Sequence, residues 1–192
     1  MYREWHCILR NVKDIAQQHN VHMSSDELLQ ISYYCLFFGT GSGSSRMLKA
    51  SLEGISPKVI DALDASLTDP AFRKRTKAAE KLGYMPFAGH QSRLGHYYRH
   101  LYQTVAFVDK ENSCDSDEKY AYVKTLRAQL STHEQALLLI NSCTPMGQKW
   151  WSDQLITKYR MVRNIPRAFI DGEVGAHMLE RFGPGYFEWE EA

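Results

Sequence analysis

Three histidines and two arginines fall between residues 90 and 100, a group of side chains that could carry acid–base and phosphate chemistry. On a helix, Arg93, His96 and His100 lie near one stripe, because positions i, i+3 and i+7 share a face. Tyr97, Leu101 and Val108, at i, i+4 and i+11, occupy a neighbouring stripe. The spacing therefore predicts one helix with a cationic, titratable row beside a core-facing row.

Cleavage of RNA without a metal ion is the reaction that these side-chain types suit. It needs a base for the 2′-hydroxyl proton, an acid for the leaving oxygen and a cation for the phosphorane charge. Histidine titrates near neutral pH and can fill either proton role, and arginine offers a fixed fork of donors to phosphate oxygens. We assign His100 as the acid and base, Arg93 as the phosphate clamp and His96 as a second titrating group. The candidate substrate-binding residues are Arg99, Arg127 and Gln129.

Two other interpretations of the same row stay open. His96 and Arg99 could bond to Glu118, Glu134 or backbone carbonyls and so hold helices in register. His96 and His100, four residues apart, could bind zinc, but the sequence offers neither the glutamate of an HExxH motif nor an evident third ligand. We therefore expect no metal and no cofactor.

Composition indicates an ordinary globular protein. The chain has 192 residues and a formal charge of +1, with 44% hydrophobic and 23% charged residues. Near-neutral charge means that any electrostatic attraction for a ligand must be local. Four scattered cysteines form no metal-binding motif and are expected to be reduced thiols in the cytoplasm, and neither a signal peptide nor a membrane-spanning run is visible.

Helix caps and helical periods predict an all-α fold, a single domain over residues 1–192 with six to eight helices in a bundle. Ser24-Glu27 and Ser131-Glu134 have the spacing of capping boxes, and Asp115 with Glu118 predicts another helix start. A last long helix is expected from Thr144-Pro145 to about Asn164, and residues 167–192 form a less regular tail with a short helix near 173–181. The other predicted helices cover about 2–19, 44–53 and 91–109, and one runs from the Ser24 cap to about Phe38. Ser56-Pro57 and Asp69-Pro70 each begin a helix with the first residue as its N-cap. The uninterrupted apolar run at residues 136–140 predicts a buried helix.

Two further stretches have both a functional and a structural interpretation. The glycine-rich loop at residues 39–45 could cradle a phosphate, although it lacks the lysine of a P-loop and follows no strand, so a mobile loop is the simpler interpretation. The basic run from Arg73 to Lys81 could contact RNA, or it could be a solvated helix face.

The segments Gly95–Tyr102, Leu126–Ser131 and Glu134–Leu139 together resemble the phage abortive-infection protein family, over about residues 85–165. The resemblance implies a bacterial anti-phage role as an effector that halts the growth of infected cells. Many members carry membrane-spanning helices before this region, and this chain shows none. A membrane-perturbing mechanism is therefore the least favoured of the functions considered.

The six residues between Arg93 and His100 fit the Arg-x(4–6)-His motif of HEPN ribonucleases, which are helical, usually dimeric and common in phage defence. The prediction is thus a cytoplasmic abortive-infection toxin, a HEPN-like, metal-independent endoribonuclease that binds RNA and acts as a homodimer. The alternative is a non-catalytic helical module that senses a phage component or binds another phage-defence protein.

Overall fold

A computed structural model describes residues 1–41, 43–170 and 172–190, and within these residues the chain is helical and contains no β-strand. The all-α prediction is confirmed. The described residues form eleven α-helices, of which eight have eight residues or more, in agreement with the predicted six to eight. Their bounds are α1 Tyr2–Gln18, α2 Ser25–Phe38, α3 Ser45–Ser51, α4 Pro57–Thr68, α5 Pro70–Ala79, α6 Gln91–Lys110, α7 Ser116–Arg127, α8 Thr132–Ser142, α9 Lys149–Ser152, α10 Leu155–Lys158 and α11 Gly172–Leu179. Short 3₁₀ helices cover Pro145–Gly147, Arg167–Phe169 and Glu188–Glu190.

The chain forms two compact units, Met1–Leu94 and Gly95–Ala192. Helix α6 begins in the first unit and has most of its length in the second. The organisation as a single domain stays a prediction.

The core of the first unit forms where α1 packs on α2 and α4. Helix α1 buries Ile8 and Val12 completely at helical spacing, α2 buries Leu29, and α4 buries Leu63. Helix α2 begins at the predicted capping box, in which the Ser24 hydroxyl accepts from the Glu27 amide and the Glu27 carboxylate accepts from the Ser24 amide.

Two glycines bring the glycine-rich loop against the segment that precedes α6. Gly39 has φ +80° and Gly89 has φ +86°, a region that favours glycine. A Cβ atom on Gly89 would lie 2.4 Å from the carbonyl oxygen of Phe38, and one on Gly39 would lie 2.5 Å from the carbonyl carbon of Ala88. The backbone crossing therefore requires glycine on both sides. Ser42, within this loop, lies outside the described residues.

Arg73, from the predicted basic face of α5, has a structural position in the first unit. Its guanidinium donates hydrogen bonds to the backbone carbonyls of Leu67, Thr40 and Phe87, at 2.6, 3.0 and 3.2 Å. Asp69 caps the same helix by accepting from the amides of Ala71 and Phe72, whereas Ser56, which was expected to cap α4, makes no side-chain cap. Arg73 thus stabilises the crossing at Gly39 and Gly89, because it binds a backbone carbonyl in each of the two loops.

A buried helix and several side-chain hydrogen bonds hold the second unit together. Helix α8 is buried on all sides from Gln135 to Ser142, as the uninterrupted apolar run predicted. Arg127, at the end of α7, donates from Nη1 to the carbonyl oxygens of Tyr159 at 3.1 Å and Arg160 at 2.9 Å. Asp109 of α6 accepts from the Tyr159 hydroxyl at 2.8 Å. These bonds fix the chain that follows α10.

The prediction of one long helix from residue 145 to 164 is wrong. The segment is divided into a 3₁₀ turn, α9 and α10, because Gln154 has φ +56° and Arg160 has φ +48°. Neither residue can continue a right-handed helix in this left-handed conformation. The predicted tail helix is present as α11, and Asp171 and residues 191–192 of the tail lie outside the described residues.

Candidate functional site

One face of α6 in the second unit is open to solvent. His96, His100, Gln103 and Phe107 recur at i, i+4, i+7 and i+11, which places them on one stripe, and all four are exposed. Phe107 is 70% exposed. The buried residues of the same part of the helix are Tyr98, Leu101, Val105 and Ala106. The helix is therefore amphipathic in the register that the sequence predicted, with its imidazoles directed away from the core.

A hollow of about 280 Å³ lies beside His100 and is formed entirely within the second unit. Helix α6 supplies one wall, and the end of α7 and the beginning of α8 supply the other. The residues that line the hollow are Tyr97, His100, Leu101, Thr104, Leu126, Gln129, Leu130 and Glu134. Three leucines and five side chains with polar groups surround this space, so a ligand there would meet several hydrogen-bonding groups.

Glu134 enters the hollow as the third residue of α8 and is held there by the helix cap. Its Oε2 atom accepts from the Ser131 amide at 2.8 Å and from the Ser131 hydroxyl at 2.7 Å. Partial burial pushes the pKa of the Glu134 carboxyl upward, but the hydrogen bonds from Ser131 and the proximity of the Tyr97 hydroxyl outweigh it, so this pKa is lower than usual. Glu134 is therefore an ionised carboxylate at neutral pH.

The Tyr97 hydroxyl is a buried polar group beside this carboxylate. Burial, and then the negative charge of Glu134, raise the pKa of Tyr97, so the phenol stays protonated. Its Oη atom makes no hydrogen bond of ordinary geometry with any described residue, so the two side chains interact through proximity rather than through a full hydrogen bond. A buried donor without a complete partner is costly and is common at functional sites.

The other predicted catalytic residues are exposed. Arg93 lies in the first turn of α6 and belongs to the first unit, whereas His96 belongs to the second. Among the residues that the structure describes, the side chains of Arg93, His96, Arg99 and His100 have no hydrogen-bond or ion-pair partner. The interpretation in which His96 and Arg99 hold helices in register by bonding to Glu118 or Glu134 therefore finds no such bond in the described part of the chain.

The two predicted substrate-binding residues after α6 differ in position. Gln129 is exposed, lines the hollow and lies in the turn after α7 rather than on the helix itself. Arg127 is 5% exposed, and its guanidinium binds the two backbone carbonyls of Tyr159 and Arg160. Arg127 is absent from the residues that line the hollow and has a structural role in the second unit.

Sequence reasoning did not assign Glu134 or Tyr97 to the site. The Ser131-Glu134 spacing predicts a helix cap, and a carboxylate at N3 of a helix also lies at the helix surface, where it can face a neighbouring helix. Tyr97 was assigned to the core-facing row of α6. No local signal shows that Glu134 and His100 meet at one hollow, because the two residues are brought together by the turn between α7 and α8.

The first unit holds a second hollow, of about 370 Å³, between one face of α1 and one face of α5. Cys7 lies at its wall, and burial and the neighbouring Glu80 raise the pKa of the Cys7 thiol to about 11, so this thiol is not a nucleophile at neutral pH. Arg10 binds Glu80 at 2.9 Å across the hollow. All four cysteines are free.

Within residues 1–41, 43–170 and 172–190, no three histidine, cysteine, aspartate or glutamate side chains come together in a way that could hold a metal ion. None of the helices in the described part of the chain is both long and apolar enough to cross a membrane.

The hollow lies within a segment of the chain that is similar in sequence to a protein family. Residues 89–170 match the family model described as putative phage abortive infection protein. This matched segment begins at the glycine whose backbone crosses Gly39, and it includes α6, α7, α8 and every residue of the hollow. It agrees closely with the resemblance over residues 85–165, and the description of the family supports a role in phage defence. No curated protein and no solved structure matches the chain.

Proposed function

We propose that this protein is an abortive-infection effector that cleaves RNA without a metal ion and uses His100 for proton transfer. The observation that carries the proposal is the exposed, unpaired imidazole of His100 at a polar hollow within the segment that matches the abortive-infection family. Imidazole is the side chain best suited to proton transfer at neutral pH, and an unpaired imidazole can reach a substrate without first breaking a bond within the protein.

The remaining roles follow the distribution of charge and hydrogen-bonding groups. His96 lies one helical turn before His100 on the open face of α6, and Arg99 is exposed on the same helix. Both can meet an extended RNA strand that reaches the hollow, and the exposed Gln129 amide can bind a base edge or a ribose hydroxyl there. Arg93 keeps the role of phosphate clamp on the basis of its spacing from His100 in the sequence.

The biological outcome would be arrest of the infected cell. Cleavage of cellular or phage RNA in the cytoplasm stops translation, which prevents phage production at the cost of the host cell. We also propose that the protein acts as a homodimer, in which the open face of α6 meets the same face of a second copy and brings two sets of histidines together.

Expression of the protein in bacteria tests this function. We expect the wild-type chain to arrest growth and fragment RNA, and His100→Gln to lose both, because removal of a general acid or base lowers rates by about 100- to 10,000-fold. His22→Gln is the matched control, since His22 is exposed and lies in the first unit. Unchanged RNA fragmentation by a folded, soluble His100→Gln variant would remove the proposal.

A second candidate function is a non-catalytic module that binds a phage component or another defence protein. Phe107, 70% exposed on the same stripe as the histidines, favours it, because a large aromatic side chain at an open helix face is typical of a protein interface. In this case Phe107→Ser would abolish protection against phage, while the purified wild-type protein would leave RNA intact.

A further inference from the structure

The hollow beside His100 contains a second group that can exchange a proton. The carboxylate of Glu134 comes from α8, on the opposite wall of the hollow from the α6 imidazole. Its Oε2 atom is held by two bonds from Ser131, and the Tyr97 hydroxyl lies beside the carboxylate. The capping box thus fixes the position of the carboxylate at the wall of the hollow that His100 also lines.

We propose that Glu134 is the general base and His100 the general acid of a single-chain RNA-cleaving site, an assignment that rests on the function proposed above. The Glu134 carboxylate takes the proton of the ribose 2′-hydroxyl, and the 2′-oxygen forms a bond to phosphorus. The bond from phosphorus to the 5′-oxygen breaks as the His100 imidazolium gives its proton to that oxygen. The products are a 2′,3′-cyclic phosphate and a free 5′-hydroxyl, and exchange of one proton through water restores both side chains.

The division of roles follows from the negative charge that Glu134 carries at neutral pH and from the general chemistry of imidazole. The pKa of Glu134 is lower than usual, so at neutral pH this carboxylate has no proton to give and can only accept one. Histidine has a protonated form in the same pH range and can supply the proton that the leaving oxygen needs. The Tyr97 hydroxyl, beside Glu134, stays protonated because burial and the negative charge of Glu134 raise its pKa.

The assignment also changes what a second copy of the chain would contribute. In the sequence-based hypothesis, two histidines from two chains share the chemistry. Glu134 and His100 line one hollow within the second unit, so base and acid are both present in one chain. Dimer formation would then affect RNA binding rather than the proton transfers.

Glu134→Gln is the variant that tests the base. Glutamine at N3 still forms a capping box with serine, so α8 keeps its cap while the ionisable group is lost. Glu118→Gln is the matched control, since Glu118 closes the capping box of α7 with Asp115 in the same unit and does not line the hollow. We expect Glu134→Gln to lower kcat by about 100-fold or more with little change in KM, and Glu118→Gln to leave kcat unchanged.

A substrate with a good leaving group separates the base from the acid. In a nucleoside 3′-(p-nitrophenyl phosphate), the p-nitrophenolate leaves as an anion and needs no proton. We expect His100→Gln to cleave this substrate nearly as fast as the wild type, whereas Glu134→Gln stays slow on it and on RNA alike.

The outcomes distinguish the two proposals. If Glu134→Gln cleaves RNA as fast as wild type while His100→Gln is inactive, the role of Glu134 is overturned and the ribonuclease function stands. If the p-nitrophenyl substrate restores the cleavage rate of Glu134→Gln and not that of His100→Gln, the acid and base roles are the reverse of those assigned. If the wild-type protein and Glu118→Gln cleave neither substrate, both proposals fail together.

Discussion

The carboxylate of Glu4 and the imidazole of His90 lie 2.7 Å apart, from Oε2 to Nε2, in the core of the first unit. Glu4 is completely buried and His90 is 6% exposed. The same carboxylate accepts from the Phe87 amide at 2.6 Å and from the Tyr84 hydroxyl at 2.8 Å. One buried carboxylate therefore holds α1 to the segment that leads into α6, and His90 is the second residue of the segment that matches the abortive-infection family.

Loss of this carboxylate should destabilise the protein severely. Glu4→Ala leaves His90, Tyr84 and the Phe87 amide without their acceptor, and breaking a buried pair in this way costs about 3–5 kcal/mol. Urea unfolding measures the change, and Glu53→Ala, at an exposed position in the same unit, is the control with no expected effect. A loss for Glu4→Ala no larger than that of the control would show that the network contributes little.

Stability should fall at low pH because of the same group. Burial alone would raise the pKa of Glu4, but the bonds from His90, the Phe87 amide and Tyr84 lower it below its ordinary value. A carboxyl with a lowered pKa stabilises the fold fully above its unfolded value, about 4.3, and the contribution is lost as pH falls through the folded value. We expect the difference in Tm between wild type and Glu4→Gln to shrink as the pH is lowered from 7 to 3. A difference that is constant over this range would contradict the assignment.

The backbone crossing at Gly89 gives a prediction with an internal control. Gly89→Ala places a Cβ atom 2.4 Å from the carbonyl oxygen of Phe38 at a φ of +86°, so the loops must separate. We expect a loss of at least about 2 kcal/mol in the free energy of unfolding. Gly83→Ala should be nearly neutral, since the added atom meets nothing within 4 Å. Equal stability of the two variants would show that the crossing is not tightly packed.

Arg127 should matter for folding and not for RNA cleavage. Arg127→Met leaves the Tyr159 and Arg160 carbonyls without their charged donor, which costs about 2 kcal/mol or more. At a temperature where the variant is folded, its KM for RNA should equal that of wild type. A raised KM in folded protein, with stability unchanged, would instead restore the substrate-binding role that the sequence predicted for Arg127.

The sequence predicted those parts of the fold that depend on local chemistry. The capping boxes at Ser24, Asp115 and Ser131 are all present, because each needs only two side chains three residues apart. The amphipathic register of α6 was also predictable, since the helical period alone places His96 and His100 on one stripe.

Features that depend on distant contacts were not predictable. The long helix expected after Thr144 is interrupted at Gln154, a residue type that does not by itself indicate a left-handed conformation. Arg127 carries a charge that normally favours the surface, and its burial depends on two carbonyls more than thirty residues later in the chain. Glu134 joins the site for the same reason, because the α7–α8 turn places it opposite α6.

The most direct test of the account is cleavage of RNA by purified protein in the presence of EDTA. We expect the wild-type chain and His22→Gln to cut RNA into fragments with 2′,3′-cyclic phosphate ends, and His100→Gln, equally folded, to do so at least about 100-fold more slowly. Intact RNA with every protein, or equal cleavage by wild type and His100→Gln, would contradict it.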